Sequence, residues 1–152
     1  MPRPPILEQI DARALFEEGQ AYEQWLQGEE EAKAADKLAE LLERLPLSPA
    51  VEGYLRGLHR PVHVIAIAEG WCGDVHRNVP VLMRLAGVSE NLHVRFIARE
   101  TSPELFARYL TNGGEAIPKF VFFSDDFTEC GNWGPMPREC RRVLSRGKGA
   151  GD

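Results

Sequence analysis

The stretch that decides the fold is Val62-His63-Val64-Ile65-Ala66-Ile67-Ala68-Glu69-Gly70-Trp71-Cys72-Gly73-Asp74-Val75. Residues 62–68 are nearly continuous in apolar side chains, the pattern of a strand covered on both faces. A short turn follows. From residue 74 the apolar side chains Val75, Val79, Leu82, Met83 and Ala86 recur at helical spacing, which predicts a helix over 74–87. The turn therefore sets the thiol of Cys72 at a helix N-terminus, where the peptide dipoles favour a thiolate.

Downstream, residues 92–98 read as a second strand. Ser102-Pro103 caps a helix holding Leu105, Phe106, Tyr109 and Leu110, and Asn112-Gly113-Gly114 breaks it. That glycine pair lacks the pattern of a phosphate loop. Ile117-Pro118 leads into a third strand at 120–123. Ser124-Asp125-Asp126 turns the chain into a fourth strand at 127–133, with Phe127 and Trp133 on one face. Pro135 begins a last helix whose basic end, Arg141 to Lys148, suits a helix C-terminus. The order from residue 61 is β-α-β-α-β-β-α. The first two strands are joined by a helix, so they should be parallel with a right-handed crossover. The last two are too close for a crossover and must form a hairpin.

Upstream, Ile6, Leu7, Ile10, Ala14, Tyr22, Trp25 and Leu26 predict one helix over 6–27, stopped by Gly28. Glu29-Glu30-Glu31 opens a second helix with the negative charge its N-terminus favours, and Pro46 ends it. The acidic run itself reads as a solvated helix face. Ser48-Pro49 is an N-cap and first-turn proline for a third helix carrying Val51, Tyr54, Leu55 and Leu58. Residues 1–60 thus form a helical extension packed on the core, and residues 61–148 form the α/β domain.

With 152 residues, one domain of this size buries roughly 70% of its unfolded surface. A net charge of −5 argues against a nucleic-acid partner. No apolar stretch approaches the ~20 residues that span a bilayer, so no membrane partner is expected. Met1-Pro2-Arg3-Pro4-Pro5 lacks the apolar core of a signal peptide. Cys72, Cys130 and Cys140 are an odd set and form neither a disulfide framework nor a zinc ribbon. Together these features predict a reducing cytoplasm.

The strand order, with Trp71-Cys72-Gly73 after the first strand and Ile117-Pro118 opening the third, resembles the thioredoxin superfamily. It looks most like a bacterial thioredoxin-like branch with an N-terminal helical extension and a Trp-Cys-Gly-Asp turn. The resemblance covers about residues 60–148. It implies a three-layer sandwich on a mixed four-stranded sheet. In that family the proline is cis and faces the active cysteine. Pro118 is therefore expected beside Cys72, with the Ile117 backbone open to an extended substrate. Trp71 is expected to line the lip, with Gly73 and Asp74 shaping the site. The chain departs from the family pattern in three places. Val75 stands where the resolving cysteine belongs, Asp74 replaces a common proline, and Ala66 takes the place of a buried carboxylate. A dithiol cycle between residues 72 and 75 is chemically impossible.

A lone thiolate can still attack a disulfide, and an external thiol can release the product. The helix end favours the thiolate by roughly 0.3–1 kcal/mol. Asp74 opposes it by about 0.7–1.4 kcal/mol if the carboxylate points at the sulfur. If Asp74 instead satisfies helix N–H groups, the thiolate keeps its advantage. His76 lies one helical turn after Cys72 and is either a supporting cation or a surface histidine. Cys72, Asp74 and His76 make too partial a ligand set for a metal. Cys140 shares a helix face with Met136, Val143 and Leu144 and reads as packing. Cys130 lies two strand spacings from the first strand, about 10 Å. A disulfide needs Cα atoms within about 7 Å. His59, His63 and His93 have no partner spacing and are assigned no role.

Two functions follow. The first is a monothiol thiol–disulfide oxidoreductase. Its partners would be protein or small-molecule disulfides, with no bound cofactor and a low-molecular-weight thiol as co-substrate. The second is a non-catalytic peptide- or protein-binding module of the same fold. Fold alone does not choose between them.

Overall fold

The computed structural model describes residues 10–28, 30–44, 47–103, 105 and 116–135. Its centre is a mixed sheet of β1 (Val62–Ile67), β2 (Leu92–Ile97), β3 (Lys119–Phe123) and β4 (Glu129–Trp133), in the order β2-β1-β3-β4. β1 and β2 are parallel, with Val62 opposite Leu92 and Ile67 opposite Ile97. β3 runs antiparallel to β1, Ala66 facing Phe120, and β3 and β4 form the hairpin. Val64, Ile65 and Ala66 are fully buried, which explains why β1 is apolar at successive positions rather than alternate ones. β4 is one of the two edge strands, and Glu129, Cys130 and Asn132 are exposed on it.

Between β1 and β2 the chain crosses over through helix α5 (Gly73–Ala86), which buries Val75, Val79, Pro80 and Leu82. The upstream helices are α1 (Ala12–Glu18), α2 (Tyr22–Trp25), α3 (Lys33–Arg44) and α4 (Pro49–Arg56). α3 packs on α5. Ser48 caps α4 as its sequence predicts, the hydroxyl accepting from the Val51 N–H at 3.2 Å. No helix of the described residues is long and apolar enough to cross a membrane.

The single helix expected over 6–27 is broken at Gly19-Gln20. Gln20 pairs with Phe96 as a short antiparallel bridge, its N–H donating to the Phe96 carbonyl (2.9 Å) and its carbonyl accepting in return (2.8 Å). A continuous helix would forfeit both bonds. Gly19 suits this close pass, because a Cβ there would lie 2.9 Å from Cβ of Arg95. The break lets α2 lay Trp25 flat on Phe96, ring centroids 4.8 Å apart. Residues 1–9 lie outside the described residues.

A second correction concerns the acidic run. It does not open α3, which starts at Lys33. Glu30 and Glu31 sit in the preceding turn, tied to the loop after β1 by contacts described below.

Phe127 is a third correction. It is not on the fourth strand with Trp133 but in the turn before it, with φ 62°. Trp133 stacks on Phe120 on one face of the sheet. Phe127 packs on the other face, 4.3 Å from the His63 ring and 5.6 Å from Phe16. His63 and His93, assigned no role from sequence, stand opposite each other on β1 and β2 with stacked rings. His63 donates from Nδ1 to the Ser124 carbonyl at 3.2 Å. Burial first, then the neighbouring His63 and Arg95, holds His93 below the usual imidazole range.

The Ser102 hydroxyl accepts from the N–H of buried Leu105 at 3.2 Å, as an N-cap should. The rest of the helix expected there, the Pro46 stop, the Asn112-Gly113-Gly114 break and the final basic helix lie outside the described residues.

Candidate functional site

At the end of β1 the chain turns through residues 68–72 and enters α5 with Cys72 as its N-cap, in extended backbone conformation. The thiol is half-buried and caps nothing. Its S–H donates instead to the Ile117 carbonyl, 3.6 Å away. The Ile117-Pro118 bond is cis, and both residues are buried at the start of β3. The structure thus brings Cys72, Ile117 and Pro118 together from two segments 45 residues apart. Gly73 is exposed as the first residue of the helix.

Asp74 takes neither orientation weighed from sequence. Its carboxylate pairs with the Arg77 guanidinium at 2.9 Å, so its charge is matched within the first turn of α5. His76 engages the carbonyl of Glu30 through Nε2 at 3.1 Å, tying α5 to the turn before α3. Glu30 in turn pairs with Lys33 at 2.7 Å. Among the described residues no group of three or more His, Cys, Asp or Glu could hold a metal.

Trp71 is 60% exposed, which places it at the rim rather than in the core. Its indole N–H donates to Oε2 of Glu69 at 3.0 Å. The Arg99 guanidinium lies over the ring, 5.5 Å from its centroid, with Nε 3.9 Å from the same Glu69 oxygen. Glu69 also hydrogen-bonds Glu100. Burial, reinforced by Glu100, pushes the Glu69 carboxyl up. Glu100 is held down, first by a hydrogen bond from its own backbone and then by Glu69. Sequence reasoning missed this group because its members come from two strand ends that only the β1–β2 pairing makes adjacent.

Glu69→Gln copies the protonated acid, with an oxygen for the indole and an NH2 for Glu100. A carboxyl whose folded pKa is raised contributes stability below its unfolded pKa, and that stability is lost as pH rises through the folded pKa. The wild type is therefore expected to lose ground to Glu69→Gln as pH climbs from about 4 to 7. Thermal melts at the two ends should show the variant's Tm advantage growing by about 1–3 °C.

The upstream segment closes one side of the turn. Oε1 of Glu31 accepts from the Gly70 N–H at 3.1 Å, and the Trp25 indole N–H donates to the Ala68 carbonyl at 3.4 Å. Gly70 is buried under this segment. A Cβ there would lie 2.4 Å from the Glu31 nitrogen, so only glycine fits. Glu31 is therefore not simply part of a solvated helix face. Its partner lies 39 residues downstream, beyond any local signal.

On the other side, Lys119 follows Pro118, is 5% exposed, and donates from Nζ to the Gly134 carbonyl at 2.7 Å. Asn78 of α5 donates to the Pro135 carbonyl at 3.1 Å and to the Asp74 carbonyl at 2.8 Å. The loop after β4 is thereby fixed between β3 and α5. Cys130 is exposed on β4, its S–H toward the Thr128 carbonyl at 3.5 Å, with β3 between it and β1. Cys140 lies outside the described residues.

The fold is shared with solved structures. A crystal structure of a protein of unknown function from Pseudomonas aeruginosa superposes with a TM-score of 0.74 at 19% identity, covering 86% of this chain and 80% of that one. An HIV epitope-scaffold superposes with a TM-score of 0.73 at 20% identity and the same coverage, 86% and 80%. No curated protein matches the chain. A family model described as thioredoxin matches residues 19–148, most of the upstream helical segment included. With the sheet order, the Trp71-Cys72-Gly73 turn and that match in hand, the chain belongs to the thioredoxin family.

Proposed function

We propose that the protein is a monothiol thiol–disulfide oxidoreductase. The observation that carries this reading is the placement of the Cys72 sulfur, half-buried at the N-terminus of α5 and 3.6 Å from the Ile117 carbonyl, with buried Val75 at the next-turn position. In the first step the Cys72 thiolate attacks one sulfur of a disulfide R–S–S–R′. The Cys72–S bond forms, the S–S bond breaks, and R′–S⁻ leaves and takes up a proton. An external thiolate then attacks the substrate sulfur of the mixed disulfide. It departs as a new disulfide and returns Cys72 as the thiolate. No electrons are gained or lost by the protein over the cycle. A reducing cytoplasm, with its pool of low-molecular-weight thiols, is the compartment we assign to it.

The site supports each step with its own groups. The sulfur belongs to the N-cap residue of α5, the helix end at which the peptide dipoles favour an anion. The Asp74 charge is matched by Arg77. The Ile117 carbonyl, which accepts the resting S–H, is released when that proton leaves and can then accept from an extended substrate. A steady-state assay with a low-molecular-weight mixed disulfide and a free thiol tests the proposal. Parallel double-reciprocal lines, the signature of a ping-pong cycle, are expected. Equal rates with wild type and Cys72→Ser would instead favour the second reading. In that reading the exposed Trp71 and the Ile117 backbone hold a partner that Cys72 does not process.

A further inference from the structure

Trp71 is exposed, yet it is fastened at two points. Its edge is held by the Glu69 carboxyl at 3.0 Å, and one face is covered by the Arg99 guanidinium at 5.5 Å. Glu69 and Arg99 also approach each other, at 3.9 Å, so edge and face are clamped by one connected group. The Glu69 side chain is only 16% exposed and Arg99 29%. An exposed tryptophan normally samples several rotamers. Here the ring is presented to solvent in one orientation, adjacent in the chain to the reacting sulfur.

We propose that Glu69 and Arg99 are positioning residues that fix the Trp71 indole as a planar rest beside Cys72, so that the site prefers disulfides carrying an aromatic or other planar group next to the sulfur. The proposal rests on reading Cys72 as the reacting thiol. When a disulfide meets Cys72, the group on the sulfur that is attacked stays on the protein. A planar group can stack on the open indole face without first ordering it, and an alkyl group gains less. A free indole would have to be immobilised on each encounter, which would cancel part of the stacking gain.

The test uses the full chain with Cys130 and Cys140 replaced by serine, so that only Cys72 reacts. Stoichiometric reaction with a dipyridyl disulfide forms a Cys72–thiopyridyl bond and releases one pyridinethione, which is followed by absorbance. Hydroxyethyl disulfide serves as the alkyl comparator. The aromatic-to-alkyl rate ratio is expected to fall about three- to tenfold in Trp71→Ala, the worth of one aromatic stack. Glu69→Ala and Arg99→Met should fall toward that value. Glu69→Gln, which keeps an acceptor for the indole N–H, should restore most of the ratio. The fluorescence anisotropy decay of Trp71, taken as the difference from Trp71→Phe, should show a faster local component in Glu69→Ala. A Cys72 reactive with both reagents, at one ratio in all these variants, would overturn the clamp and leave the thiol reading standing. A Cys72 inert to both would overturn both. If Glu69→Ala fails to fold, Arg99→Met and Glu69→Gln carry the same comparison.

Discussion

Cys72→Ser is expected to abolish formation of any mixed disulfide at the head of α5. A hydroxyl cannot replace the thiol. Its oxygen forms no stable bond to sulfur in exchange, and it is not ionised near neutral pH, whereas a thiol supplies the thiolate that attacks. The structural cost is small. The side chain is half-buried, the N-cap position accepts serine well, and a hydroxyl can donate to the Ile117 carbonyl in place of the S–H. The loss should therefore be chemical, with Tm close to that of the wild type. Mass spectrometry after incubation with a mixed disulfide reads the result. Cys130 is exposed, so the wild type should carry a rapid adduct at Cys72 and a slower one at Cys130. The variant should keep only the slower one. A rapid adduct surviving in Cys72→Ser would move the reacting group elsewhere.

Gly134→Ala is expected to destabilise the fold by about 2–6 kcal/mol, the sum of left-handed backbone strain and overpacking. Two independent features converge on this glycine. Its φ of 132° is open to glycine and costly for any residue with a side chain. A Cβ would also stand 2.1 Å from the Pro118 carbonyl oxygen, a backbone atom that cannot swing aside. Pro118 is one residue from the carbonyl that holds the thiol, and the Gly134 carbonyl is the acceptor for buried Lys119. Relief of the overlap must therefore move the Pro118 wall of the site. A fall in Tm of roughly 5–20 °C is expected, with slower reaction of Cys72 measured well below the new Tm. Alanine tolerated at wild-type Tm would show that the loop after β4 is not tied to the site as described.

The parts legible in the sequence are those whose signal is local. The run over 62–68 reports a strand buried on both faces because burial demands apolar residues at every position. The turn at 69–73 and the spacing of Val75, Val79 and Leu82 report the start of α5. Ser48 and Ser102 act as caps where they were read. What escaped the sequence is set by partners far along the chain. The break at Gly19-Gln20 is dictated by hydrogen bonds to Phe96, which outweigh a helical periodicity that runs straight through it. Glu31 looks like any acidic residue near a helix start until Gly70 is folded under it. Glu69, Arg99 and Glu100 become neighbours only when β1 and β2 end side by side. Phe127 has strand-like neighbours in sequence, but Ser124, Asp126 and Thr128 bond to one another and hold the turn two residues longer, so that β4 starts at Glu129.

The Gly70 amide has a further consequence for how negative charge can be borne at the sulfur. Its hydrogen is committed to Glu31, and those of Val75 and His76 point to the Cys72 carbonyl. By the geometry of any helix start, Gly73 and Asp74 have no acceptor inside the helix. Those two peptide hydrogens stand at the helix start next to residue 72, where main chain can shelter an anion on its sulfur. An anion sheltered by main chain rather than by a cationic side chain does not depend on which residues stand at 74 or 76. Exchanges at those positions should tune the rate of the chemistry without switching it off.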